Sequence, residues 1–207
     1  AGPVIGPNGY DLNNASFLAD ASIPNVTRPF SADFSPDGLN MYITDLEDPQ
    51  NITHFTTAAP FDIQNLTFQS ELNYDSPSNP TSIHLQENGD AVFVAEAIGD
   101  TVLKFDMSTP YDLSTASTSP DQSLQLNIAY GEGGIDFSPD GSFLFIGEQS
   151  PETIHRFDFG SPFDLNSTSS SPSQTVASAF GRKGDIDISS DGTVLTEISV
   201  ETNSIAQ

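Results

Sequence analysis

Asp136-Phe137-Ser138-Pro139-Asp140-Gly141 reads as the end of an alternating strand running into a tight turn, and the chain repeats it. Upstream stand Asp33-Phe34-Ser35-Pro36-Asp37-Gly38 and, more loosely, His84-Leu85-Gln86-Glu87-Asn88-Gly89. Downstream the phrase returns as Asp187-Ile188-Ser189-Ser190-Asp191-Gly192. The four glycines lie 51, 52 and 51 residues apart. Glycine accepts the positive φ of a hairpin turn, and the β-branched and aromatic runs at 41–44, 92–95 and 144–147 read as the strands beyond it. A period of about 51 residues is that of a propeller blade.

A second phrase is interleaved with the first. It reads Tyr10-Asp11-Leu12, Phe61-Asp62-Ile63, Tyr111-Asp112-Leu113 and Phe163-Asp164-Leu165, with Pro60, Pro110 and Pro162 ahead of the last three. Proline presets φ for a turn, and aspartate bonds nearby backbone N–H groups there. Six residues before each aromatic an apolar residue closes a third strand: Val4, Phe55, Phe105 and Phe157. Less regular runs at 17–23, 66–72, 123–128 and 174–180 read as fourth strands. Four antiparallel strands make a propeller blade. The sequence therefore predicts an all-β fold, a single β-propeller of four four-stranded blades at about 31–74, 81–128, 134–180, and 184–207 plus 1–23. Two columns should form the core: Phe34, Leu85, Phe137 and Ile188, and Val4, Phe55, Phe105 and Phe157. The fourth unit should pack most loosely, because Thr196 stands where Tyr42, Phe93 and Phe145 stand.

The "F-S-P-D-G" wording resembles the propeller repeats of the lactonase-like and YVTN type. Ser108-Thr109-Pro110-Tyr111-Asp112-Leu113-Ser114-Thr115-Ala116 resembles more closely a variant found in bacterial surface proteins and phage structural proteins. The resemblance covers almost the whole chain. It implies the fold strongly and the function weakly, since propellers host many activities.

Composition narrows the partners. Against 29 acidic residues stand only Arg28, Lys104, Arg156, Arg182 and Lys183, for a net charge of −24. Such a chain lacks the basic footprint that nucleic acid or an anionic membrane requires. No apolar run approaches the roughly 20 residues of a membrane span. Without cysteine there is neither a disulfide framework nor thiol chemistry. High charge would suit disorder, but 15 phenylalanines at periodic positions argue for a folded protein with an acidic, lysine-poor surface. The opening Ala1-Gly2-Pro3 reads as a mature end left by processing, which with the acidity suggests an extracellular, cell-surface or virion location.

The two ends are complementary. Asn203, Ser204, Ile205, Ala206 and Gln207 align with the start of a third strand, while Pro3, Val4 and Ile5 align with its end. The expectation is one blade shared by the two termini, closing within a chain or head-to-tail between chains. Either arrangement covers a sheet edge that would otherwise invite aggregation.

Three sets of side chains are candidate sites. Asp33, His84, Asp136 and Asp187 occupy one repeat position on the innermost strands. Around a narrow axis they could hold a hard cation such as Ca2+, or each could bond its own turn or the next blade. His54, Lys104 and Arg156 share another position, suited to an anion or to ion pairs between blades with Asp11, Asp62, Asp112 and Asp164. Asn14, Asn25, Asn51, Asn65 and Asn166 head Asn-x-Ser/Thr sequons, which would carry glycans in a host with the machinery. Three histidines on separate strands, with no nucleophile elbow or phosphate loop, give little basis for catalysis. The expected function is a non-enzymatic extracellular structural subunit whose partner is itself, assembled as a filament or virion part. A monomeric module binding glycan or protein, and a lactonase-like hydrolase, are the alternatives.

Overall fold

The computed structural model describes residues 20, 22–47, 50–74, 79–131, 133–148, 150, 152–178, 183–199 and 204–206. It is built from four antiparallel sheets, each ordered as its strands occur in sequence. The first holds β1 (Pro29–Phe34), β2 (Asn40–Asp45), β3 (Asn51–Thr57) and β4 (Leu66–Asn73). The second holds β5 (Pro80–Leu85), β6 (Ala91–Glu96), β7 (Thr101–Asp106) and β8 (Gln122–Gln125). β9 (Ile135–Phe137), β10 (Phe143–Glu148), β11 (Thr153–Asp158) and β12 (Gln174–Ala177) form the third. The fourth has three strands among the described residues: β13 (Lys183–Ile188), β14 (Leu195–Ser199) and β15 (Ser204–Ala206). Two single 3-10 turns, Leu113–Thr115 and Leu165–Ser167, are the only helical elements among these residues. The all-β propeller architecture expected from the two phrases is what the chain forms.

Register shows how strictly the repeat is kept. Asp33 pairs with Tyr42, His84 with Phe93, Asp136 with Phe145 and Asp187 with Thr196. The sheets succeed one another like blades, β1 packing on β5, β5 on β9 and β9 on β13. Phe55, Phe105 and Phe157 are fully buried between them, and Leu85 and Phe137 are buried too. Phe34 and Ile188, in the first and last sheets, are only half-buried. Val4 lies outside the described residues.

Each hairpin turn carries its glycine in the left-handed region, φ +69° at Gly38, +77° at Gly89, +68° at Gly141 and +69° at Gly192. The second phrase then folds back onto that turn. Phe61, Tyr111 and Phe163 donate their N–H groups to the carbonyls of Gly38, Gly89 and Gly141. All three aromatics adopt positive φ themselves, a conformation costing about 1–2 kcal/mol that the N–H bond to the glycine carbonyl and the ring's contact with the turn help to offset. The ring lies so close that a Cβ on Gly141 would fall 2.2 Å from Phe163, whereas none of the described residues stands within 4 Å of one on Gly192. Gly141→Ala should therefore cost about 2–4 kcal/mol and Gly192→Ala about 1 kcal/mol, read by urea unfolding. Equal losses would show that the aromatic does not pack on the turn.

The aspartate of the phrase caps the next turn of chain. Asp112 and Asp164 accept the N–H groups of Ser114 and Asn166, 3.1 Å each, and so start the two 3-10 turns. The turns bring Leu113 and Leu165 back as buried residues against the preceding sheet. Leu113 joins Tyr42, Ile52, Leu72 and Val92; Leu165 joins Phe93, Val102, Leu124 and Leu144. Through this contact the blades are welded side to side.

Candidate functional site

The innermost strands β1, β5, β9 and β13 present two layers of side chains to a common axis, because residues two apart share a face. One layer is Asp33, His84, Asp136 and Asp187, which all line a cavity of about 510 Å3. The other, two residues upstream, is Ser31, Ser82, Gly134 and Asp185. Gly134 has room for no side chain, since a Cβ there would meet Asp185 Oδ1 at 2.2 Å.

Asp33, His84, Asp136, Ser31 and Ser82 each reach from one sheet to the next. Asp33 accepts the N–H of Phe34 (2.7 Å) and, from the second sheet, that of Leu85 (2.8 Å). Asp136 repeats the arrangement with Phe137 (2.8 Å) and, from the fourth sheet, Ile188 (2.6 Å). His84 instead donates from Nδ1 across to Asp136 Oδ1, 2.8 Å away. Ser31 and Ser82 accept the N–H groups of Ile83 (3.3 Å) and Ile135 (3.0 Å). The column thus meets as expected, but the Asp33 oxygens are committed to backbone N–H groups and those of Asp136 to backbone N–H groups and His84. Of the two readings of Asp33, His84, Asp136 and Asp187, bonding to the turn and the next blade describes the first three. Among the described residues no group of three or more acidic or histidine side chains has the spacing of a metal site.

Burial and mutual repulsion set the charges. Burial raises the Asp33 carboxyl, with His84 and its two N–H donors pulling it back only in part. Burial alone would lower the His84 imidazole, but the hydrogen bond and charge of Asp136, with Asp33 behind, raise it. The more open Asp187 is raised by partial burial and by the charges of Asp136 and Asp33. Asp185, buried and near the same carboxylates, is pushed up to about 7. Its protonated form favours the folded state below its ordinary value of 3.8, and the penalty for ionising it grows until about pH 7. Asp185→Asn should therefore leave stability unchanged near pH 4 and raise it near pH 8 by no more than about 4 kcal/mol. The same change in urea midpoint at both pH values would contradict this. Asp185 is not among the residues singled out by the repeat, although its place two residues before Asp187 on the same strand face is a usable signal.

The second column behaves differently from expectation. Lys104 pairs with Asp106 (3.0 Å) and Arg156 with Asp158 (2.8 Å), each within its own strand and over an aromatic ring. Residues i and i+2 of a strand share a face, so the nearest carboxylate is local and no inter-blade pair is needed. His54 stacks on Tyr42 at 4.6 Å and meets Asn40 Oδ1 through Nε2. Burial lowers its imidazole to about 4, so it is neutral.

Among the sequons, Asn25, Asn65 and Asn166 are exposed. Asn51 is not: it begins β3, is 6% exposed, and accepts the Thr53 hydroxyl at 3.0 Å. A glycan there would require the strand to open, so Asn51 is withdrawn as an acceptor. Asn14 lies outside the described residues. So do Pro3, Val4, Ile5, Asn203 and Gln207 of the shared-blade expectation, whereas Ser204, Ile205 and Ala206 form β15 against β14.

No family model matches the sequence, and no curated protein does. Solved structures do, through the fold. A Bacteroides fragilis protein with a provisional 6-phosphogluconolactonase assignment is 17% identical, with a TM-score of 0.61 over 86% of this chain and 49% of its own. A functionally unknown protein of Desulfotomaculum acetoxidans is 16% identical, with a TM-score of 0.59 over 86% and 54%. Hydrazine synthase of Kuenenia stuttgartiensis is 17% identical, with a TM-score of 0.58 over 92% and 47%. The chain is similar in structure to lactonase-like seven-bladed propellers and spans about half the length of the chains it matches.

Proposed function

We propose that this protein is a non-enzymatic structural subunit that self-assembles head-to-tail, as part of an extracellular surface filament or virion. One observation carries the reading: the sheets repeat one blade in series, β1 packing on β5, β5 on β9 and β9 on β13, an arrangement that a further copy can extend. An uncovered sheet edge recruits another strand, which would extend such a series between molecules. A contact made by one end of a molecule on the opposite end of another is heterologous; it builds rings when its rotation closes and filaments when it does not. The net charge of −24 supports a role outside the cell, where high salt screens repulsion between copies.

Sedimentation velocity tests the reading. The apparent mass of the chain should climb with concentration and with salt, in steps of the monomer mass. A single monomeric boundary across both series would overturn it. The axial cavity favours a second reading, a module that takes a small ligand on one propeller face, since Phe61 and Phe163 line it together with His84. In that case the chain would remain monomeric and bind a glycan in calorimetry.

A further inference from the structure

The column of His54, Lys104 and Arg156 holds two permanent cations and one residue that is charged only when protonated. Their surroundings differ to match. Lys104 and Arg156 each have an aspartate two residues on, Asp106 and Asp158, whereas Thr56 stands two residues after His54. His54 lies inward instead, 4% exposed and flat on the Tyr42 ring, 4.6 Å away at an interplanar angle of 5°. Its Nε2 meets Asn40 Oδ1 at 3.0 Å, so Nε2 carries the hydrogen and Nδ1 keeps a lone pair. That Nδ1 is buried with no hydrogen-bond partner among the described residues. Ser70, directly across on β4, does not serve it, since the buried Ser70 hydroxyl is unpaired too. Such a nitrogen tolerates a lone pair better than a proton, because a new N–H and its charge would have nothing to meet.

The ring sits at the joint between the first and second sheets. Tyr42, beneath it, donates its hydroxyl to the Tyr111 carbonyl at 2.7 Å. Leu113 of the same turn packs with Tyr42, Ile52 and Leu72. The titratable groups facing the imidazole are Tyr42 on β2, and Tyr111 and Asp112 on the turn; β4 brings the neutral Ser70. Asp112 is the one described charge that acts on the ring. Its carboxylate is already occupied in capping the turn, accepting the Ser114 N–H at 3.1 Å and the Ser114 hydroxyl at 2.6 Å. A proton on His54 would therefore set a cation against a turn whose available counter-charge is its own cap.

We propose that His54 is an acid-sensitive latch between the first and second sheets, holding the turn at 109–116 closed while neutral and releasing it when protonated. This device is independent of the self-assembly reading. Burial lowers the imidazole from its ordinary 6.5 to about 4, with the Asp112 charge opposing only in part. The folded state favours the neutral ring, so the latch contributes fully above pH 6.5 and weakens as pH falls toward 4. Those two values make the closed-to-open ratio roughly 100-fold smaller at pH 4 than at pH 7.

Two measurements on the full-length chain test the latch. Followed by NMR, the His54 imidazole should titrate near pH 4. The amides of Thr115 and Ala116, which bond the carbonyls of Asp112 and Leu113, report whether the turn is closed. Corrected for intrinsic exchange, their protection should fall roughly 100-fold between pH 7 and pH 4. His54→Gln keeps an amide donor for Asn40 and cannot take up the proton, so its turn should lose little protection. An equal loss in parent and variant would overturn the latch, as would a His54 that titrates at its ordinary 6.5 in the folded chain. Should the glutamine variant not fold, the titration midpoint of the parent decides alone.

Discussion

Asp136→Ala should be among the most damaging single changes in the molecule, costing about 3–5 kcal/mol near pH 5–6. The carboxylate serves three donors at once: Phe137 N–H, Ile188 N–H from the fourth sheet, and the His84 imidazole. Removing it leaves His84 buried without its partner and unties the fourth sheet from the third. The loss should shrink toward pH 9, for two reasons. His84 is raised in the fold by Asp136, so its contribution is full below its unfolded value and is lost as pH rises through its folded value. The ionised Asp185 and Asp187 would also gain from losing a like charge. Asp136→Asn keeps an acceptor for backbone N–H and should recover part of the loss. Denaturant titrations of both variants at two pH values check this. A cost that does not fall with pH would mean the His84 pair adds nothing.

Phe137→Ala should cost a comparable amount, about 3–5 kcal/mol. Its ring is the meeting point of two sheets, 4.5 Å from Phe93, 5.0 Å from His84, 5.4 Å from Phe163 and 5.8 Å from Phe159 between centroids. Truncation would open a cavity that neighbours on separate strands could not collapse to fill. The matched change Phe34→Ala, at a half-buried position of the first sheet, should cost about half as much. Similar losses in reversible unfolding would show that the first sheet is covered as fully as the third.

The fold was legible because two local phrases mark the same turns in every unit. Gly38, Gly89, Gly141 and Gly192 sit at equivalent hairpins, and Phe55, Phe105 and Phe157 are all buried, as their spacing implies. The Asp33, His84, Asp136 and Asp187 column was legible as a gathering of residues but not as a chemistry. Which N–H each oxygen would meet depends on how the next sheet is offset, and no single unit encodes that. The pairing of Lys104 and Arg156 departs from expectation for a simpler reason: Asp106 and Asp158 two residues on are nearer than any described carboxylate in another blade. The positive φ of Phe61, Tyr111 and Phe163 had no sequence signal, since the conformation is imposed by the ring's seat over the glycine. Asn51 shows the limit of a motif: its sequon is intact, yet strand pairing with Asp45 and Asn73 puts it inside.

The central claim is the proposed head-to-tail association of copies through the fourth sheet, and amide hydrogen exchange of Ser204–Ala206 tests it most directly. Strands β3, β7 and β11 each have a fourth strand at their outer side, so their amides should be slow under all conditions. The outward amides of β15 should exchange freely in dilute solution and become protected at concentrations where the sedimenting mass rises. Protection of β15 equal to that of β11 in a dilute, monomeric sample would contradict the account.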